Sequence, residues 1–176
     1  MQNIFISAII FFSVILQTSL LPNFFASGMI PDITLIIIII WTAKFDFNSV
    51  LKWAILAGVM VDLVSFWPIG TDVLSFVVIA FAVNSISKRF LVPHFAWKFS
   101  VLMLMVFGGT LLNSFTVFAL MKIASELNRT VEPVVMNNNL FLKSIFDVVV
   151  FVIIYWPVER LGQIFAYHNN RIMVKR

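Results

Sequence analysis

The sequence predicts an all-α integral membrane protein, a bundle of six transmembrane helices with both termini in the cytoplasm. Of its 176 residues, 61% are hydrophobic and 11% are charged, and the mean hydropathy is +1.04. Soluble domains carry roughly 25% charged residues, so this chain has too little polar surface to cover a soluble globule. Its apolar residues also come in long runs separated by turn residues and charges, which is typical of membrane-spanning helices.

The predicted helices form a single membrane domain over residues 1–176. They lie at residues 4–21, 30–43, 50–66, 72–87, 99–121 and 140–158, and a basic cytoplasmic tail follows at 159–176. A helix needs about 20 residues to cross the ~30 Å apolar core of a bilayer. None of the segments alternates polar and apolar residues as the strands of a membrane β-barrel do, so helices are predicted throughout.

The first two segments need separate justification. The first could be a cleaved signal peptide, but it lacks a basic start and its apolar core is longer than usual, so we interpret it as a helix. The second is short, and its isoleucine run at 36–40 would favour a β-strand in water. An unpaired strand would leave its backbone polar groups unsatisfied in a bilayer, so we expect a helix that borrows residues from its flanks.

The other four segments are bounded by turns or charged connections. The third ends before the Trp-Pro-Ile-Gly turn at 67–70, and the fourth begins just after that turn. The fifth follows the basic connection at 88–98, and the sixth follows the long polar connection at 122–139. Proline and glycine mark such connections because they interrupt regular helices.

The basic residues predict the orientation of the bundle. Nine Lys and Arg residues fall in the 44–52 and 88–98 connections and the tail, whereas two, Lys122 and Arg129, fall on the opposite side. Cytoplasmic loops of membrane proteins carry the excess of basic residues. Both termini are therefore predicted to be cytoplasmic. The scattered positions of the basic residues also argue against binding of nucleic acid.

Polar residues inside the predicted spans concentrate in their outer halves. These residues are Gln17, Asn113, Thr116, Lys143 and Asp147. They predict a polar cluster or cavity that opens outward. Lys143 and Asp147 are four residues apart, so they can pair on one helix face, which lowers the cost of burying either charge.

Asp62 is the most informative of the intramembrane acids. Ala54, Gly58, Asp62 and Ser65 share one face of the third segment, and small residues at such spacing let helices approach closely. This face could be an internal packing surface or a site for a ligand or partner, because intramembrane acids are functional candidates. Gly108-Gly109 with Asn113 and Thr116 gives the fifth segment a similar small and polar face, and we expect the two faces to meet. Asp32 and Asp72 are interpreted as acids in the first turns of their helices, where the helix dipole stabilises them.

Enzymatic motifs are missing from the sequence. There is no cysteine and only two histidines, His94 and His168, and none of the common hydrolase, phosphate-binding or metal-binding patterns occurs. The acids are too dispersed for a recognisable catalytic pair. We therefore predict that the protein is not an enzyme and has no catalytic residue, metal site or cofactor.

One group of residues resembles a known family. A Pro-Asp pair opens an apolar helix, a Gly/Asp/Ser pattern marks the next helix, a glycine follows the break, and a basic residue closes the fourth helix. These residues are Pro31, Asp32, Gly58, Asp62, Leu63, Ser65, Gly70, Leu74 and Arg89. In this pattern, and in length and hydropathy, the chain resembles the bacterial rod shape-determining protein MreD family. That family is similar in fold to the six-helix substrate-binding subunits of energy-coupling-factor vitamin transporters.

The resemblance implies a component of the cell-elongation machinery in the bacterial cytoplasmic membrane. On this reading the protein is a scaffold for MreC and the peptidoglycan synthases, acting with MreB, RodA and its partner transpeptidase to maintain rod shape. The motif residues Pro31, Asp32, Gly58, Asp62, Ser65 and Gly70 would then form the partner or ligand site. The alternative is the substrate-binding subunit of a transporter, with a vitamin-like small molecule in the outward polar cluster.

The predicted orientation can be tested with single cysteines at Ser27, Asn137 and Asn169, because the native chain has none. An impermeant thiol reagent added to intact cells should label the first two positions, which are predicted to lie outside, and should not label Asn169. Labelling of Asn169 alone would reverse the orientation.

Overall fold

The computed structural model is helical through most of the residues that it describes, which are 2–25, 30–45, 47–65, 70–90, 95–127 and 140–173. Its α-helices are α1 (Gln2–Ile15), α2 (Ile33–Thr42), α3 (Phe47–Val64), α4 (Thr71–Phe90), α5 (Phe95–Leu127) and α6 (Leu140–Met173). After α1 the chain continues through a π-helical turn at Leu16–Leu20 and a short 3₁₀ turn at Leu21–Asn23.

Five stretches of the described residues are long and apolar enough to cross a membrane. They are Ile6–Asn23, Phe47–Val64, Thr71–Lys88, Phe99–Ile123 and Leu140–Pro157. The protein is therefore a multi-pass membrane protein, and the part of it that the structure describes is built from helices. The second predicted span differs: α2 has 10 residues, which at 1.5 Å per residue cover about 15 Å, half of a bilayer core.

The short helix α2 forms the centre of the bundle. Every residue from Thr34 to Thr42 is buried, and α2 contacts each of the other five described α-helices. Around it, α1 packs on α3, α3 on α4, α4 on α5, and α5 on α6. An apolar helix in a membrane can face lipid or the protein interior, and the burial of the isoleucine run at 36–40 places it in the protein core.

The last two helices are longer than the sequence predicts. α5 covers Phe95–Leu127 where residues 99–121 are expected. α6 continues past Pro157 to Met173, through most of the segment predicted as a tail. The final three residues of that tail, and residues 128–139 of the long polar connection, lie outside the described residues.

Two glycines allow close helix contacts, but the contacts differ from those expected. A Cβ on Gly58 of α3 would lie 2.5 Å from the Cα of Val73 on α4, so these two backbones touch. A Cβ on Gly109 of α5 would lie 2.8 Å from Cδ1 of Ile39 on α2. The expectation that the small faces of the third and fifth segments meet each other is therefore wrong. Each face instead packs on a different neighbour, α4 for the third and α2 for the fifth.

A matched pair of alanine substitutions tests the contact between α3 and α4. We expect Gly58→Ala to lower the free energy of unfolding by about 1–3 kcal/mol, because the new methyl group meets backbone atoms that cannot rotate away. Gly108→Ala should be neutral or stabilising, because nothing lies within 4 Å of its Cβ position and alanine favours helices. Thermal unfolding in detergent measures both, and equal losses would show that Gly58 is not a close-packing position.

Candidate functional site

Two networks of buried polar side chains lie at the end of the bundle where α2 and α4 begin. The sequence predicts that this end faces outside, and we call it the outer end. One network, the Asp62 cap, joins α3 to the start of α4. The other, the Asp32 cluster, joins the start of α2 to the π-helical turn after α1 and to α5 and α6. Each network is built around backbone N–H groups at a helix start, which have no partner within their own helix.

The Asp62 cap consists of one carboxylate and three backbone N–H groups. Asp62, which is buried, accepts hydrogen bonds from the N–H groups of Gly70 at 2.8 Å, Asp72 at 3.0 Å and Val73 at 3.4 Å. Because α4 begins at Thr71, these donors are the residue just before the helix and two residues of its first turn. Asp62 therefore caps α4 from a neighbouring helix, and its negative charge lies at the positive end of the α4 dipole.

Two other motif residues of this region, Gly58 and Gly70, support the same cap. Gly70 has a φ of +101°, a conformation that favours glycine and that turns the chain back toward Asp62. Gly58 lies one helical turn before Asp62 and lets α4 approach. The hydroxyl of Ser65 donates to the carbonyl oxygen of Asp62 at 3.3 Å, a bond within the end of its own helix.

The Asp32 cluster begins with a tight turn before α2. The N–H of Ile33 donates to the carbonyl of Pro31 at 3.1 Å, and Asp32 has φ −85° and ψ 71°, close to an inverse γ-turn. The Asp32 N–H donates to Oδ1 of Asp147 on α6 at 3.0 Å. The Thr34 N–H donates to Oε1 of Gln17, in the π-helical turn, at 3.1 Å. Side chains from two other elements thus cap α2.

The carboxylate of Asp32 collects donors from three elements. Gln17 Nε2 donates to Oδ1 at 3.1 Å. Lys143 Nζ on α6 forms an ion pair with Oδ2 at 2.8 Å, and Asn113 Nδ2 on α5 reaches the same oxygen at 3.5 Å. Asp32 makes no side-chain capping bond to its own helix, so its role differs from the first-turn acid that the sequence suggests.

Asp147, on α6, is the last member of the Asp32 cluster. It is fully buried, and its Oδ2 accepts a hydrogen bond from the Thr110 hydroxyl at 2.9 Å. Lys143 therefore forms its ion pair with Asp32 of another helix, and the expected pairing with Asp147 along α6 is wrong.

The structure brings together four of the five residues predicted for the outward polar cluster. Gln17, Asn113, Lys143 and Asp147 all reach Asp32 by the contacts above. Thr116 does not, because its hydroxyl donates to the Leu112 carbonyl of its own helix at 2.7 Å. Thr110 was not predicted as a member. The sequence could have indicated its membership, because Thr110 lies one turn before Asn113 on the same helix.

The charges of the outer end are unequal. Four buried acids lie there, namely Asp32, Asp62, Asp72 and Asp147, and Lys143 forms an ion pair with one of them, Asp32. The positive ends of α2 and α4 offset part of the negative charge. Within the described part of the chain, no three His, Cys, Asp or Glu side chains converge as a metal-ion site.

Comparison with known proteins identifies the family. A family model described as rod shape-determining protein MreD matches residues 1–165. The chain belongs to the MreD family. The match covers both networks of this MreD-family chain, and it confirms the resemblance that the Pro31-Asp32 and Gly58–Gly70 patterns suggest. No curated protein and no solved structure matches the chain.

Substitutions at Asp62 and Ser65 distinguish the cap from its surroundings. We expect Asp62→Ala to lower the free energy of unfolding by about 3 kcal/mol, because three N–H donors lose a charged acceptor. Asp62→Asn should lose less, since one amide oxygen can still accept. Ser65→Ala is the control and should change stability by less than about 0.5 kcal/mol. The measurements are the amount of protein in membranes and its thermal stability in detergent. A stable Asp62→Ala protein that fails to support rod shape would instead assign Asp62 to recognition.

Proposed function

We propose that this MreD-family protein is a non-enzymatic scaffold of the bacterial cell-elongation machinery in the cytoplasmic membrane. It would bind MreC and, with MreB, RodA and its partner transpeptidase, hold peptidoglycan synthesis in the pattern that maintains rod shape. The family match over residues 1–165 carries the proposal, because that family is described by rod-shape determination.

The distribution of polar groups supports a scaffold. Most polar side chains of the Asp32 cluster and the Asp62 cap bond to protein atoms, so they hold the helices in one arrangement. Large apolar side chains on all five candidate spans are exposed on the surface of the bundle, including Phe12, Leu63, Phe81, Leu104 and Ile153. A rigid interior with an apolar exterior suits a protein that presents surfaces to lipid and to other membrane helices.

The same contacts weigh against the transporter alternative. A vitamin-sized ligand would need several polar groups directed toward open space. Gln17, Asp32 and Asp147 instead bond to each other and to backbone N–H groups of α2. A role of Pro31, Asp32, Gly58, Asp62, Ser65 and Gly70 in direct partner binding stays a prediction.

Site-specific photo-crosslinking tests the scaffold proposal in cells. A photoreactive amino acid is placed singly at exposed positions on each candidate span, namely Phe12, Leu63, Phe81, Leu104 and Ile153. Ile36 of α2, which is fully buried, is the matched negative control. We expect positions on one side of the bundle to capture MreC while the variants still restore rod shape to cells that lack the native protein.

The pattern of capture decides between outcomes. Capture of MreC from adjacent helices only would define the binding face. Full restoration of rod shape without capture of MreC from any span, and without co-purification of MreC, would contradict the scaffold proposal.

A further inference from the structure

A contact between α4 and α5 sets the relative depth of their side chains. A Cβ on Gly109 of α5 would lie 3.7 Å from Cγ2 of Ile79 on α4. α4 begins at the outer end, at Thr71, and runs away from it. α5 runs in the opposite direction, toward the outer end, where Asn113 contacts Asp32. Ser75 lies four residues before Ile79, and Asn113 lies four residues after Gly109. Each is therefore about 6 Å nearer the outer end than the contact between Ile79 and Gly109. They occupy the same depth on two helices that pack directly.

Both of these residues carry a buried oxygen that accepts no hydrogen bond. Ser75 is 0% exposed and Asn113 is 8% exposed. Neither Ser75 Oγ nor Asn113 Oδ1 has a hydrogen-bond partner within the described structure. Buried polar atoms in proteins are almost always satisfied, so two unsatisfied oxygens at one depth require a physical explanation. The Asn113 amide belongs to the Asp32 cluster through its nitrogen, which directs this side chain into the charged region.

Four buried acids lie at the same end of the bundle as the two oxygens. Asp72 lies three residues before Ser75, in the first turn of α4. The Lys143 ammonium lies at Oδ2 of Asp32. A ligand that accepts electron pairs from oxygen and carries positive charge would satisfy both neutral oxygens and offset part of the negative charge of the acids. Hard inorganic cations have these properties.

We propose that Asn113 Oδ1 and Ser75 Oγ bind a sodium ion between α4 and α5. A monovalent ion suits the site because the two unpaired oxygens are neutral, whereas divalent ions are usually bound by several carboxylates. The ion would bridge α4 and α5 just below the Asp62 cap and the Asp32 cluster. This role goes beyond scaffolding and does not depend on it.

Thermal unfolding of the purified full-length protein in detergent tests the proposal. Melting is compared in sodium chloride and in choline chloride at equal ionic strength, because choline is too large to enter the site. We expect sodium to raise the Tm saturably, by about 5 °C at high occupancy. Binding of radioactive sodium to the same sample gives an independent measurement of the site.

Three variants test whether the sodium-dependent rise in Tm comes from the proposed site. Ser75→Ala removes one proposed ligand and no hydrogen bond within the protein, so it should fold normally yet lose most of the sodium-dependent rise. Asn113→Leu should lose it as well. Ser85→Ala is the control on the same helix, because the Ser85 hydroxyl bonds only the Phe81 carbonyl of its own helix, at 2.9 Å, and it should keep the full rise.

Two results would overturn the proposal. Equal Tm values of the native protein in sodium and choline, with no sodium binding, would mean that the oxygens bind water only. A sodium-dependent rise that is undiminished in Ser75→Ala would place any ion elsewhere. Ser75→Ala decides the test by itself if Asn113→Leu does not accumulate.

Discussion

Capping of helix starts by buried carboxylates is the interaction on which the rest of this structure depends. In a bilayer there is no water to satisfy the first N–H groups of a helix, so a helix that starts inside the bundle needs acceptors from the protein. Asp62 provides them for α4, with contacts of 2.8–3.4 Å to three N–H groups. Asp147 and Gln17 provide them for α2. The acids that are costly in a membrane are thus stabilised by the helix ends that they cap.

The caps also explain how a helix of 10 residues can be central to a membrane protein. α2 is too short to reach both sides of a bilayer, so its start must be held at depth by the surrounding helices. The Asp32 carboxylate connects that start to the π-helical turn, α5 and α6 through Gln17, Asn113 and Lys143. Removal of one partner would leave another charge buried without compensation, which is strongly unfavourable. The arrangement of the helices is therefore coupled through one side chain.

This coupling is consistent with a protein that works by its shape. A scaffold of the proposed kind must present the same surface to each partner, and the buried networks join the starts of α2 and α4 to neighbouring helices. The residues of the family motif have a structural role in this arrangement. Gly58, Asp62 and Gly70 together allow α4 to begin close to α3, so a change at any of them would alter the outer surface even if no partner touches it.

The sequence alone determined the properties that depend on composition and local pattern. Hydropathy set the membrane class and the approximate positions of the spans, and the Gly58–Gly70 pattern with the length of the chain was enough to identify the family. Intramembrane polar residues could also be recognised as exceptional, since each is expensive at its own position whatever surrounds it.

Only the tertiary structure decided which groups those residues meet. Lys143 and Asp147 are four residues apart and could pair locally, but the packing of α2 between α5 and α6 gives Lys143 a closer partner in Asp32. The glycine faces of the third and fifth segments looked complementary, yet each packs on another helix. Such choices depend on the order of helices around α2, which no single helix encodes. A hydropathy profile sums over neighbours in the chain, whereas a hydrogen bond depends on neighbours in space.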